Sequence, residues 1–177
     1  MPEGQDLRRL LDDVARLSET VEQLLDFEQQ EQATDHKETV DLLDLTRNVV
    51  AERAPPAIAA DYEISFKSAV KTLERHANPT ALPRAVSNLV RNAINHSGNS
   101  GMTSVSVAAK GRITVADQGK GIPPDQQALV FEPFYRIVPR SRGAGLGLSL
   151  VRQIVTNQHG RVTIESGPIE TVFTLHL

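Results

Sequence analysis

The amino-acid sequence predicts an α+β fold, a two-layer α/β sandwich in which a mixed sheet is covered by helices on one face, with a long helix in front of it. Two observations carry this. From about residue 40 onward, segments of strand-like and of helical apolar spacing are interleaved, and the last two strand patterns are joined by the short turn GPIE. Residues 5 to 32, by contrast, hold no glycine or proline, and Leu7, Leu10, Val14, Leu17, Val21 and Leu24 recur at alternating steps of three and four. A chain of 177 residues with 40% hydrophobic content is long enough for one well-cored domain and a small appendage.

The N-terminal spacing is that of an a/d seam, widened on one flank by Leu11 and Leu25, which suits a helix in a bundle better than a two-stranded coil. Residues 1–33 are therefore expected to form a dimerising helix; packing back onto its own domain is the simpler alternative. After the polar joint QQEQATDHKE, a second unit is expected over residues 34–177. It should open with a helix from about Leu42 to Arg53 that stops at Pro55-Pro56, followed by a strand around YEISFKS. A helix near 80–96 follows, capped by Asn78 or Thr80 and closed by the stretch SGNSG. Strands near 102–109 and 111–116, a helix near 146–158 ending at His159-Gly160, and strands near 161–166 and 170–177 complete the expected order.

Composition narrows the function. Nineteen basic against 22 acidic residues leave a net charge of -3, which supplies no electrostatic footprint for nucleic acid or an anionic membrane surface. There is no cysteine, so disulfides and thiolate metal sites are excluded. No apolar run approaches the roughly 20 residues that span a bilayer, and the N-terminus lacks a signal peptide's hydrophobic stretch, so the chain is expected to be a soluble, cytoplasmic portion.

Four stretches carry chemistry. On a helix over 86–97, Val86, Leu89, Val90, Ala93 and Ile94 fall on one arc and Asn88, Arg91, Asn92 and Asn95 on the opposite one. An amide oxygen is a neutral, hard ligand suited to Mg²⁺, and amide N–H₂ or guanidinium groups donate to phosphate oxygens. A solvated helix back is the plainer account, although such backs are usually Glu and Lys. In VADQGKGIPPD, Asp117 ends a strand, where a carboxylate can accept from an exocyclic amine, and Gly119 and Gly121 open the turn to close approach. By itself this is more often just a turn. In RSRGAGLGLSLVRQIV, Gly143, Gly145 and Gly147 run into an amphipathic helix whose first amides form a ready phosphate site, with Arg140 and Arg142 just before. Neither glycine stretch fits the dinucleotide fingerprint or a Walker loop. FEPFYRI places Phe131 and Tyr135 between them; core packing is the simpler account of Phe131, and residues 136 to 142 would form a lid.

In this order and spacing the four stretches resemble the N, G1, F and G2 boxes of the sensor histidine kinase ATP-binding domain, of the Bergerat-type superfamily of gyrase, heat-shock chaperone, histidine kinase and MutL. The resemblance covers essentially the whole chain: LRRLLDDVARLSETVEQLLDFEQ is similar to the second helix of the kinases' dimerisation and phosphotransfer hairpin. It implies that Asn92 binds Mg²⁺, that Asn88 supports the phosphate end, and that Asp117 accepts from the adenine amine. Gly119, Gly121 and Ile122 would line the base pocket with Phe131 and Tyr135. Gly143, Gly145, Leu146, Gly147 and Leu148 would border the phosphates of ATP or ADP beneath the lid. Asn95 departs from the pattern, since many relatives carry a basic residue there, so the cation is expected from Arg91, Arg140 or Arg142.

The hydrolases and serine kinases of the superfamily resemble one another in a glutamate four residues before the metal-binding asparagine, a general base for water or a hydroxyl. Here that residue is Asn88. A neutral imidazole already has a lone pair for the γ-phosphate, so the asparagine fits a histidine kinase. The phosphoacceptor helix is not in this chain; His36, His76, His96, His159 and His176 all read as structural or solvent-facing. The resemblance implies the C-terminal part of a longer kinase, homodimeric through the N-terminal helix, partnered by a response regulator and with room for an inner-membrane anchor. A nucleotide-sensing module without catalysis, or a serine kinase or ATP hydrolase, is the alternative.

Overall fold

In the computed structural model, Val105 and Val107, Ile113 and Val115, and Phe173 and Leu175 each alternate with polar neighbours along a strand and are all at most 1% exposed. They form the sheet side of one core. The structure describes residues 36–98, 101–138 and 144–177, together with Val14, Leu17, Ser18, Val21 and Leu25, which are helical. Of the expected N-terminal stripe, the seam residues Val14, Leu17 and Val21 and the flanking Leu25 are therefore seen, and all four are exposed. The rest of that helix, and the expected boundary at residue 34, lie outside the described residues.

The second unit opens with β1 (Glu38–Asp41), which pairs antiparallel with β3 (Glu74–Ala77). Neither short strand is expected from the sequence, because ETVD and ERHA offer four residues each and no apolar alternation. Asp41 fastens this corner. Its Oδ1 accepts from the Leu43 amide at 2.9 Å, capping α1 (Leu42–Ala59), and from the Leu73 amide at 3.0 Å.

Contrary to the expected stop at the proline pair, α1 continues through Pro55 and Pro56 to Ala59. The prolines remove the donors for the carbonyls four residues earlier. Ala51, Glu52, Pro55 and Pro56 are all exposed, so water takes those carbonyls, while buried Ala57 packs inward and its own carbonyl accepts from the amides of Ala60 and Tyr62.

After β2 (Glu63–Ser68) and β3 comes α2 (Ala81–His96). Asn78 starts it, with Oδ1 accepting from the amides of Thr80 and Ala81 at 2.9 Å each; Thr80 makes no side-chain cap. Leu82, Ala85, Val86, Leu89, Val90 and Ala93 are at most 1% exposed and form the apolar arc. β4 (Met102–Ala108), β5 (Arg112–Asp117), a 3₁₀ turn at Leu129–Phe131, α3 (Gly147–Asn157), β6 (Arg161–Ser166) and β7 (Thr171–His176) complete the chain. His159, at φ 62°, makes the left-handed turn after α3.

The main sheet has the order β2-β4-β5-β7-β6, with β2 and β4 parallel and the other neighbours antiparallel. One face packs on the helices. The other carries the half-buried hydroxyls of Ser104, Ser106, Thr114, Thr163 and Thr174, and the threonines are hydrogen-bonded: Thr114 Oγ1 to Thr174 Oγ1 at 3.3 Å, Thr163 Oγ1 to His176 Nε2 at 3.0 Å. This is the expected sandwich, a mixed sheet with helices on one side. No helix among the described residues is long and apolar enough to cross a membrane.

Because Asp41 serves two amides from one oxygen, Asp41→Ala should lower unfolding stability by about 1–2 kcal/mol, and Asp41→Asn, which keeps an oxygen there, by less. Urea titration followed by circular dichroism measures both.

Candidate functional site

The polar arc of α2 does not meet solvent alone. It forms the floor of a cavity of about 670 Å³, within the range of small-molecule pockets. Asn88, Arg91, Asn92 and Asn95 line it from α2; Asp117, Gly119, Gly121 and Ile122 close one end; Tyr135, Gly145, Gly147 and Leu148 wall the other.

The first end is built on the C-terminus of β5. Asp117 is 2% exposed and accepts the Gly119 amide at 2.9 Å. A Cβ on Gly119 would collide with the His96 carbonyl oxygen, so the turn lies directly on the last turn of α2. Gly121, at φ 73°, is pressed equally closely on the Gly167 carbonyl of the β6–β7 turn. Ser166 Oγ accepts the Ile122 amide at 2.8 Å, and Gln127 Nε2 donates to the Ile122 carbonyl at 3.0 Å. The base of the cavity is thus rigid before any ligand arrives. Burial pushes the Asp117 carboxyl up to about 6; the Gly119 N–H opposes this and the Glu170 charge adds to it.

The other end lies where α2 passes beneath the start of α3. A Cβ on Gly147 would stand 3.2 Å from Asn88 Oδ1 and 3.8 Å from an Arg91 guanidinium nitrogen. Leu146 gives α3 no side-chain cap, and Gly147 and Leu148 at the start of that helix line the cavity, with the positive end of the helix dipole there. Asn88 is 6% exposed: Nδ2 donates to the Arg84 carbonyl at 2.9 Å, and Oδ1 accepts from the Arg91 guanidinium. Asn92 and Asn95 make no side-chain hydrogen bond among the described residues. From Asn88 to His96 is eight residues, or about 12 Å of helix. The two ends of the cavity are held that far apart.

Two expected site residues face elsewhere. Phe131 is 7% exposed and packs edge-on against Phe173, ring centroids 6.1 Å apart at 87°, within the core. Leu146 is 1% exposed; Gly145 and Gly147 on either side of it face the cavity, which turns the leucine between them into the core. Arg140, Arg142 and Gly143 lie outside the described residues. Arg136, the first residue of the expected lid, lines the cavity, and Thr171 and His96 line it without having been expected there. Thr171 reaches the site because it pairs in register with Asp117 across β5 and β7, which a local pattern does not reveal. His96, read as structural or solvent-facing, is exposed on the rim of the cavity, and burial lowers its imidazole pKa.

A mixed sheet backed by helices, with a pocket offering a carboxylate at one end and amides with a cation at the other, defines a nucleotide-binding domain of the α/β-sandwich class. The chain belongs to the family of histidine kinase-, DNA gyrase B- and HSP90-like ATPases, whose sequence signature matches residues 77–177. It is 35% identical over 172 residues to the sensor histidine kinase RppB of Synechocystis sp., covering 92% of this chain and 38% of RppB. The chain thus spans well under half of that relative's length. The catalytic domain of the histidine kinase ThkA is similar in structure, with a TM-score of 0.71 and 25% identity over 79% of this chain and 95% of that domain. ThkA in its complex with the response regulator protein TrrA shares the fold at a TM-score of 0.76 and 21% identity, covering 97% of this chain and 49% of that one.

Since the folded Asp117 pKa of about 6 lies above the ordinary carboxylate value of 3.8, ionising this carboxyl destabilises the fold, and that loss grows as pH rises from 3.8 to 6. Asp117→Asn should therefore raise the Tm near neutral pH by roughly 2–4 °C, about 1 kcal/mol after solvent in the open cavity is allowed for. The gain should vanish below about pH 4, where the wild-type carboxyl is protonated in both states. Thermal melts across pH measure it.

Proposed function

We propose that this chain is the ATP-binding catalytic part of a two-component sensor histidine kinase, holding Mg-ATP along α2 and delivering its γ-phosphoryl group to a histidine on a helix that is not part of the chain. Adenine sits at the Asp117 end, where the carboxylate accepts from the exocyclic amine. The phosphates lie toward Asn88, Arg91 and the start of α3, a separation that suits the roughly 12 Å between the ends.

The observation that carries the choice of acceptor is the distribution of carboxylates. Asp117 is the sole one among the described lining residues, it stands at the base end, and an amide occupies position 88. Among the described residues, no carboxylate stands at the Asn88 end of the cavity to take a proton from water or a hydroxyl. An imidazole needs none: its neutral nitrogen forms the N–P bond as the bond from the γ-phosphorus to the β-bridging oxygen breaks and ADP leaves.

Asn92 fits the metal. It is half-buried on the cavity floor with its amide unengaged, and no group of three His, Cys, Asp or Glu exists among the described residues to hold an ion without the nucleotide. Mg²⁺ bound there would share phosphate charge, as it usually does with one or two protein oxygens and the substrate's own. The exposed Val14, Leu17, Val21 and Leu25, spaced by three and four, support pairing with a second copy through the N-terminal helix in the full-length protein. A response regulator is the expected downstream partner; ThkA is known in complex with the response regulator protein TrrA.

Calorimetry with ADP and a non-hydrolysable ATP analogue tests the reading: saturable binding strengthened by Mg²⁺ is expected, and no binding by the wild-type chain would overturn it. Asn92→Ala should remove most of the Mg²⁺ dependence while leaving adenosine binding within about twofold. Sustained phosphate release by the purified chain would instead favour a hydrolase. With the full-length protein, acid-labile phosphate on histidine is the expected product.

A further inference from the structure

We propose that a groove at the far end of the sheet's open face, walled by Lys110, Arg112, Arg161 and His176, binds a multiply charged phosphate-class anion. The site lies apart from the nucleotide cavity and does not rest on the nucleotide reading. From Arg112, at the start of β5, to Asp117, at its end, the strand advances about 17 Å.

Strand register builds it. Arg112 of β5 and Arg161 of β6 both pair with His176 of β7, so the three side chains stand in one row across three neighbouring strands. They stand two residues along from Thr114, Thr163 and Thr174 and therefore lie on the same face, away from the helices. Two strand spacings put the arginine backbones roughly 9–10 Å apart, a gap that long guanidinium side chains can close onto one anion from both sides. Two turns frame the end of the row, and both are held tightly. A Cβ on Gly111 would collide with the Leu177 carbonyl oxygen, and one on Gly160 with that of His176, so the turns that carry Lys110 and His159 lie pressed against the end of β7. Together these residues line an open groove of about 770 Å³.

Charge points to the ligand. The chain as a whole carries a net charge of -3, yet among the described residues no aspartate or glutamate lines this groove. Lys110, Arg112 and Arg161 make no ion pair among the described residues, Leu177 at the chain's end included. The half-buried His176 ring, bonded through Nε2 to Thr163 Oγ1 at 3.0 Å, is fixed between the arginines. Burial lowers its pKa, and the Arg161 and Arg112 charges lower it further. Cations gathered without a counter-charge repel one another in the free protein, and an anion that bridges them removes that repulsion. A carboxylate would compensate one of them. A phosphate-class anion carries charge enough for two and offers several oxygens to the guanidinium forks.

The test is NMR of the whole chain at fixed ionic strength, adding inorganic phosphate, pyrophosphate or, as the control, chloride. Saturable shifts of the Arg112, Arg161 and His176 amides are expected, half-complete below about 1 mM pyrophosphate, with a rise in the His176 pKa because a bound anion favours the imidazolium. Arg112→Gln combined with Arg161→Gln, both at exposed positions, should weaken binding by about 10-fold or more without lowering the Tm. The same pair should raise the His176 pKa with no anion present. Arg47→Gln, exposed on α1 behind the sheet, should change binding by less than about twofold. Sedimentation with phosphatidylglycerol vesicles, against phosphatidylcholine, separates two sources of the same chemistry. A saturable response to pyrophosphate assigns the groove to a free phosphate; vesicle binding that is lost in the double variant, with no response to the free anions, assigns it to a lipid headgroup. Shifts no larger than chloride produces, with no vesicle binding that depends on the two arginines, overturn the proposal. So do shifts confined to Gly147 and its neighbours, which would report the nucleotide cavity instead.

Discussion

The burial of Leu82, Ala85, Val86, Leu89, Val90 and Ala93 along one face of α2 is the interaction on which the rest of the structure depends. Four of these are large aliphatics at roughly 1.5–3 kcal/mol each, together on the order of the whole net stability of a domain. That burial pins α2 against β4, β5 and α3. Helical geometry then leaves the opposite arc, Asn88 to Asn95, no choice but to face the gap between α3 and the β5 turn. The cavity is a by-product of an amphipathic helix that is packed on two sides and approached closely at its C-terminal end by a glycine turn.

Those glycines act through contact more than through flexibility. Gly119 and Gly121 bring backbone against backbone at His96 and Gly167, where any Cβ would force the turn outward. The price of the resulting tight pocket is a carboxylate held out of bulk water at Asp117, whose ionisation works against folding near neutral pH. A donor on a bound base would take up the carboxylate oxygens and offset that penalty, so the least comfortable residue of the free protein is also the one best matched to a ligand.

Much of this was legible in the sequence because it is local. The arc of α2 follows from 3.6-residue periodicity, the strands β4, β5 and β7 from alternation, and the Asp-x-Gly-x-Gly turn from residue types with few other uses. What was not legible depends on long-range pairing. β1 and β3 are too short to show a pattern and exist because Asp41 ties the Leu73 amide to the start of α1. Thr171 enters the site only through the register of β7 on β5. The proline pair misled because helix-breaking was judged from the missing N–H groups, whereas exposure on that side of α1 lets water replace the lost bonds. Phe131 and Leu146 carried the right neighbours in sequence but point into the core, a matter of side-chain direction within irregular turns that periodicity does not determine.

The face of the sheet away from the helices carries serine and threonine hydroxyls, and the threonines bond to one another and to His176. Being polar and in part bonded within itself, this face gains little from a covering layer, and separating it from a neighbour would expose little oily surface. Hydration therefore exerts little pull against rotation of the domain as a rigid body. If the chain acts as proposed above, on an acceptor outside itself, that polar back is the face along which it can approach and withdraw at small cost.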